Sequence, residues 1–468
     1  MGNSPSALQT CIDAVGNGRA GFAGYPSNPL YQIQWVKPYN LDVHVTPAVV
    51  VRPQTAQDIS GILKCAKASN LKVQAKSGGH SYANYGLGGS DGAVAIDMVN
   101  FQDFVMDNTT WRATVGAGTR LGQLTDKMHN AGGRAMAHGV CPDVGTGGHA
   151  TIGGLGPMSR MWGSCLDHVV EVEVVTADGQ IRRASETQNS DLFWGIRGAA
   201  SNLGVVTEFV FRTHPEPGQV VQYSYSFSFG RQEDIAPVYA KWQDMIADPK
   251  LDRRFGTMFI MYPLGAVITG TFYGTRAEFQ ASGIPDRLPK TSNMTLAIND
   301  WLGALAHDAE NEGLYLSNLA TPFYSKSLAF TKDTLIPTSK FKDLFRWVDQ
   351  QDKGTLLWFI IFDAAGGATN DLPMNSTAYA HRDKVLYYQS YVIGLPLLQK
   401  TKDFVTNFHQ QIHAASPAAE GTYAGYVDPA LTDGPQQYWG PNLYQLAEVK
   451  KKWDPSDLFH NPQSVKPA

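Results

Sequence analysis

Lys76-Ser77-Gly78-Gly79-His80-Ser81-Tyr82 and, about sixty residues on, His138-Gly139-Val140-Cys141-Pro142-Asp143-Val144-Gly145-Thr146-Gly147-Gly148-His149 decide how this chain is read. Glycines lack a Cβ, so their backbone N–H groups can come close to a diphosphate. Gly78, Gly79, Gly145 and Gly148 are therefore candidate cofactor contacts, together with Ser77, Ser81, Val144 and His149. An imidazole and a thiolate are the side chains that attach covalently to an isoalloxazine ring. Each segment holds one, His80 and Cys141. In this order, the pair points to FAD fixed to the chain at two atoms.

Gly145-x-Gly147-x-x-Ala150 mimics a Rossmann fingerprint, but that turn follows a buried strand and opens a helix. Here the preceding residues are His-Gly-Val-Cys-Pro-Asp, and the run continues through Ile152-Gly153-Gly154-Leu155-Gly156. So many glycines disfavour a helix interior. The stretch is predicted as an extended loop pressed against a large flat cofactor, with Gly153 and Gly154 among the contacts. His138 and His149 flank the cysteine loop without the carboxylate or thiol company of a metal site. Hydrogen bonds to cofactor or backbone are expected of them, and no metal.

Outward from these loops, residues 45–213 alternate short β-branched runs with glycine turns. Val49-Val50-Val51, Val73-Gln74-Ala75, Ala93-Val94-Ala95-Ile96 and Val170–Val175 read as strands, and Thr55–Ala68 as a helix with Ile59, Ile62 and Leu63 on one face. Asp178-Gly179 reads as a two-residue hairpin turn. The composition shifts at Pro215-Glu216-Pro217-Gly218. Beyond it, Val220–Phe229, Thr257–Tyr262, Val267–Tyr273, Thr355–Phe362 and Val385–Val392 read as strands, and Phe341–Gln350 and Lys400–Ala414 as helices. The expectation is an α+β chain: a cofactor-binding domain over residues 1–215 joined by the C-terminal segment 432–468, and a substrate domain over 216–431 with an antiparallel sheet backed by helices. Asn442–Trp453 reads as the terminal amphipathic helix, with Lys450-Lys451-Lys452 complementing its dipole.

The 468 residues exceed one ordinary domain, and with 43% hydrophobic and 17% charged residues the apolar material suffices for a packed core. A net charge of −4 argues against nucleic acid, and no apolar run is long enough to span a bilayer. A monomer is expected. Met1-Gly2-Asn3-Ser4-Pro5-Ser6 fits a myristoylation pattern that is short and often matched by chance. No secretory leader is visible, so either the protein is intracellular or a leader has been removed. The four cysteines allow two readings: four buried thiols, or a Cys11–Cys65 disulfide with Cys141 bonded to flavin and Cys165 free. The second, with candidate glycosylation sequons at Asn108, Asn293 and Asn375, favours a secreted protein.

The two glycine segments resemble the vanillyl-alcohol-oxidase superfamily with its PCMH-type FAD-binding domain, and within it the berberine-bridge-enzyme-like branch. Asp191-Leu192-Phe193-Trp194-Gly195-Ile196-Arg197-Gly198, Asn202-Leu203-Gly204-Val205-Val206-Thr207, Tyr438-Trp439-Gly440-Pro441-Asn442-Leu443 and Lys452-Trp453-Asp454-Pro455 to Val465 agree with it, so the likeness covers nearly the whole chain. It is nearest in character to the fungal glucooligosaccharide and chitooligosaccharide oxidases. The resemblance implies that His80 bonds the flavin 8α-methyl carbon and Cys141 its C6, that Val205 and Asn442 contact FAD, and that hydride passes from an alcohol carbon to N5. Dioxygen would then become hydrogen peroxide.

The proton needs a base. By the resemblance this is Tyr426, in Tyr423-Ala424-Gly425-Tyr426-Val427-Asp428, beside Asp363; Tyr423 is the alternative if the alignment slips by three. A carboxylate raises a phenol's pKa, so the role of Asp363 is to orient the phenol and take the proton in relay. Tyr82 is placed to bond the substrate hydroxyl, and Gln389, Ile361, Tyr388 and Trp358 to line its pocket. The implied substrate is an oligosaccharide oxidised at its anomeric carbon to a lactone. One departure stands against it: Ile361 replaces a polar glutamine of the sugar oxidases, and Phe259-Ile260-Met261 is apolar where they are polar. Trp162, Trp358 and Tyr388 could stack on a pyranose or on an aromatic alcohol. The rivals are an oxidase or oxidative cyclase of aromatic alcohols, and a flavin dehydrogenase with another electron acceptor.

Overall fold

The computed structural model of the chain describes residues 6–300 and 319–468. Met1–Pro5 of the myristoylation pattern thus lie outside the described residues. Two smaller sheets carry the glycine loops. The first orders Ala23–Gly24, Val49–Val51, Val94–Asp97 and Val73–Lys76, the last three parallel to one another. The second is antiparallel and orders Phe104–Asp107, Arg112–Gly116, Gly204–Arg212, Val169–Thr176 and Ile181–Ser185. Helix Ala56–Ala68 packs Ile59, Ile62, Leu63 and Ala66 into their shared core. It starts where predicted because Thr55 and Asp58 cap each other reciprocally. A disulfide joins Cys11 on helix Ala7–Gly16 to Cys65 on this helix, and Cys141 and Cys165 are not in disulfides.

The other half is one antiparallel sheet of seven described strands, in the order Met294–Asn299, Val220–Phe227, Gly265–Phe272, Phe255–Tyr262, Trp358–Ala364, Lys384–Ile393 and Phe323–Thr331. Helices Ala236–Ile246, Phe341–Gln350 and Gln399–Ala415 cover one face. Their apolar residues recur at helical spacing: Phe341, Leu344, Phe345 and Val348 are all buried. The α+β organisation expected from the resemblance is what the chain adopts.

Three local expectations need correction. The Asp178-Gly179 turn is a three-residue loop, because Thr176 pairs with Gln180 and Gly179 takes φ +77°, while the Asp178 carboxylate accepts both the Thr176 hydroxyl and the Gln180 N–H. Thr146–His149 is a single helical turn and not extended, since glycine disfavours a long helix more than one turn. Helix Leu443–Trp453 ends in Lys450-Lys451-Lys452, but Lys450 is fully buried and is no dipole ornament. Its ammonium donates to Asp454 at 2.8 Å and to the carbonyls of Asn202 and Phe459 at 3.0 and 2.9 Å. Beyond it the tail returns to the first sheet, where the Val73 N–H bonds the Leu458 carbonyl at 2.9 Å.

Candidate active site

Strand Val73–Lys76 delivers the first glycine loop from its carboxyl end, the edge where open parallel sheets hold ligands. Lys76 turns back into the core and pairs with Asp97 at 3.2 Å. Gly79 takes φ +81°, a conformation costly for any residue with a Cβ. A Cβ on Gly78 would lie 2.3 Å from the Gly145 nitrogen, and one on Gly145 would lie 2.0 Å from that of Gly78. The two loops therefore touch backbone to backbone, which brings His80 and Cys141 to one cavity of about 430 Å³. Ser77, Ser81, Val144, Gly148 and His149 line it with them.

Burial pushes the His80 imidazole down to about 4, with Asp143 opposing and Arg120 assisting, so the ring is neutral and keeps a nucleophilic lone pair. Arg120 and Asp143 pair with each other at 2.5 Å. His149, pushed down to about 3 by burial and by His138, accepts the Gly139 N–H at its Nε2 (2.9 Å), which assigns its proton to Nδ1. His138 bonds the Gly139 carbonyl and the Thr125 hydroxyl, so both histidines serve backbone geometry.

The uncovered face of the seven-stranded sheet roofs the cavity. Alternation sends Trp358, Ile360 and Phe362 to the helices and turns Phe359, Ile361 and Asp363 the other way. Register then sets Met258, Asp363 and Tyr387 in one row, and Ile260, Ile361, Gln389 and Ser327 in the next. Gln389 donates to the Tyr82 hydroxyl at 3.0 Å and to Ser325 at 3.2 Å. Burial pushes Tyr82 up to about 12 against the Gln389 hydrogen bond, so it stays a phenol whose own O–H remains to be donated. The Tyr426 ring stacks 6.1 Å from that of Tyr82 and meets Tyr423 edge-on at 5.2 Å. Tyr426 ends a short helical turn, anchored by Asp428, which receives Lys326 at 2.5 Å and donates its N–H to Tyr438 at 3.0 Å. The Tyr423 hydroxyl accepts the Gly154 N–H at 2.9 Å. Asp363 is pushed up to about 7 by burial, Arg160 pulling it down.

The cavity thus gathers His80, Cys141, Tyr82, Tyr426, Asp363, Gln389 and Ile361. Other predicted residues lie elsewhere. Trp358 and Tyr388 point into the helix-side core, against Phe404 and against Phe408. Phe259 and Met261 also face the helices, and Met258 supplies the apolar lining instead. Trp162 stacks on His214 at 4.3 Å. Val205 is buried in the core as part of strand Gly204–Arg212, and Asn442 spends its amide on the Met374 and Thr377 carbonyls. Gly153 and Gly154 stand behind the lining, against Tyr379, Tyr423 and Cys165. Two cavity neighbours escaped the sequence reading. Tyr39 has no motif around it; Arg160, a lone charge in an apolar run, is a buried cation held by the carbonyls of Phe255, Ala365 and Leu251.

These residues fit FAD: two glycine loops whose close approach admits no Cβ, and a neutral imidazole and a thiol facing one cofactor-sized cavity (cofactor sites run from roughly 300 to 1,000 Å³). The comparisons agree. Residues 47–185 match the FAD binding domain model and residues 422–466 the model described as berberine and berberine like. The FAD-linked oxidoreductase sorD of Penicillium rubens is 37% identical over 99% of both chains. The carbohydrate oxidase of Microdochium nivale is 33% identical over 99% of this chain and 95% of that one. A solved structure of glucooligosaccharide oxidase from Acremonium strictum, described with a 6-S-cysteinyl, 8α-N1-histidyl FAD, superposes with a TM-score of 0.88 at 27% identity over 99% of this chain and all of that one. The chain belongs to the FAD-linked oxidoreductases of the berberine-bridge-enzyme-like family, enzymes that act on CH–OH groups.

Proposed function

We propose that this protein is a bicovalent FAD oxidase, with the flavin attached through His80 and Cys141, that oxidises a substrate alcohol carbon. The convergence of those two side chains with Tyr82, Tyr426, Asp363 and Gln389 on one cavity carries the reading. FAD, when bound, supplies the hydride acceptor and returns the electron pair to dioxygen as hydrogen peroxide. The cofactor half comprises residues 1–215 and 432–468, and the roof 216–431. Tyr82, oriented by Gln389, donates its hydrogen bond to the substrate hydroxyl; Tyr426 takes that hydroxyl's proton, and Asp363 is the buried acceptor behind it. The favoured substrate is the reducing end of an oligosaccharide, oxidised to a lactone, as the names of the carbohydrate oxidase relatives support. The second reading, an aromatic or secondary-metabolite alcohol, is favoured by Ile361 and Met258, since an apolar lining leaves sugar hydroxyls unpaired at about 1–3 kcal/mol each. The disulfide and the exposed asparagines of the sequons at Asn108, Asn293 and Asn375 support a glycosylated protein working outside the cell.

Mass spectrometry of the denatured protein tests attachment: FAD should stay on the chain, and its full release refutes both links. A peroxide-coupled screen of oligosaccharides against aromatic alcohols in air then separates the substrates. Flavin reduction without peroxide would assign a dehydrogenase.

A further inference from the structure

Tyr39 stands between the flavin loop and the roof without belonging to either. The Asn84 side-chain oxygen Oδ1 accepts the N–H groups of Tyr39 and Asn40 at 3.0 and 3.2 Å, and its Nδ2 donates to the backbone carbonyls of Asn40 and Val43 at 2.9 and 2.8 Å. Asn40 in turn donates to the Tyr82 carbonyl at 2.8 Å and the Phe323 carbonyl at 3.2 Å. Leu41 bonds the Thr321 carbonyl at 3.1 Å, and Asp42 pairs with Lys402 at 2.6 Å. This strap is pinned on one side to the loop that carries His80 and on the other to the roof.

The Tyr39 ring is 9% exposed, its centroid 4.5 Å from that of His80 at an interplanar angle of 32°, with Phe323 edge-on behind it at 5.4 Å. Among the described residues no hydrogen bond holds the His80 ring. Among the described residues Tyr39 is the aromatic ring packed against the imidazole.

We propose that Tyr39 is a positioning residue for flavin attachment at His80, its strapped ring holding the imidazole toward the cavity. The inference rests on the reading of His80 as an attachment site. Attachment joins an imidazole nitrogen to the carbon of a flavin ring methyl group; one hydrogen leaves that carbon and one the imidazole, and with the electron pair they pass to dioxygen, giving hydrogen peroxide. Small displacements of a reacting atom are costly: about 1 Å can cost on the order of 100-fold.

Covalent FAD is measured by intact mass on the folded, monodisperse fraction. Cys141→Ala leaves His80 as the single anchor and should carry FAD. In that background Tyr39→Ala and Tyr39→Leu should lower attachment by about tenfold or more, whereas Tyr39→Phe, which keeps the ring, should retain it. In a His80→Ala background, Tyr39→Leu should leave the Cys141 link unchanged, a result that general damage to the fold would not give. Full attachment in Tyr39→Leu overturns the proposal, as does a loss in Tyr39→Phe equal to that in Tyr39→Leu. Absence of covalent FAD in Cys141→Ala with Tyr39 intact brings down the attachment reading of His80 itself, and the proposal with it.

Discussion

Asp363 shows what one side chain's environment can do to the pH response of the molecule. Its folded value of about 7 lies above the roughly 3.9 of an unfolded aspartate. Between the two, the native state keeps a proton that the unfolded chain has lost, so stability falls as pH rises across that window and stays lowered above it. Asp363→Asn removes the effect: its melting temperature relative to wild type should be level at about pH 4, climb to about pH 7, and flatten. A difference that does not change with pH excludes this environment. In activity the ionised form is the acceptor, so kcat/KM should rise through about pH 7 and Asp363→Asn should lose that limb. Tyr426→Phe should slow flavin reduction by substrate by roughly 10²–10⁴-fold, as the loss of a general base does. The close approach of the two glycine loops, which brings His80 and Cys141 to one cavity, was legible because short-range backbone demands write themselves into local sequence. Trp358 and Tyr388 were misassigned because side chains alternate along a strand: Ile361 and Gln389 face the cavity, so Trp358, three positions away, and Tyr388, one position away, face the helices.

Among elements, helix Leu443–Trp453 owes its place to Lys450. Replacing Lys450 with Met would strand the buried Asp454 carboxylate, at a cost of about 3–5 kcal/mol, visible as a large drop in the denaturation midpoint. Replacing Asp454 with Leu as well should recover part of that loss; equal loss in the single and double variants would contradict the pairing. The helices and strands themselves were largely readable: Phe341–Gln350 ends where its periodicity ends, and the Thr55 cap sets the start of Ala56–Ala68. Nothing in the sequence marks Lys450 as buried. Its partners Asn202 and Phe459 come from distant stretches, and three lysines in a row look like any exposed helix end.

At the scale of the molecule, the Cys11–Cys65 link closes a segment of 54 residues in sequence. Loop-closure entropy makes such a link worth about 4 kcal/mol, so Cys11→Ser with Cys65→Ser should melt well below wild type; an unchanged melt would mean the bond is not formed in solution. Another long-range tie is a buried fork, Arg382 on Asp167 at 2.7 and 2.9 Å, between residues 215 apart in sequence. The overall architecture was legible from the resemblance, whereas ties of this kind depend on chain packing that no local pattern encodes.

The tail has a further consequence. Val73 precedes the His80 loop, yet its N–H is satisfied by Leu458, and the Asn202 side chain accepts the N–H of Val465. A nascent chain emerging from the ribosome cannot complete this cradle until residues 458–465 are free of the exit tunnel. The flavin loading proposed above should therefore wait for residues 458–465, and ribosome-stalled chains lacking residues 454–468 should emerge colourless.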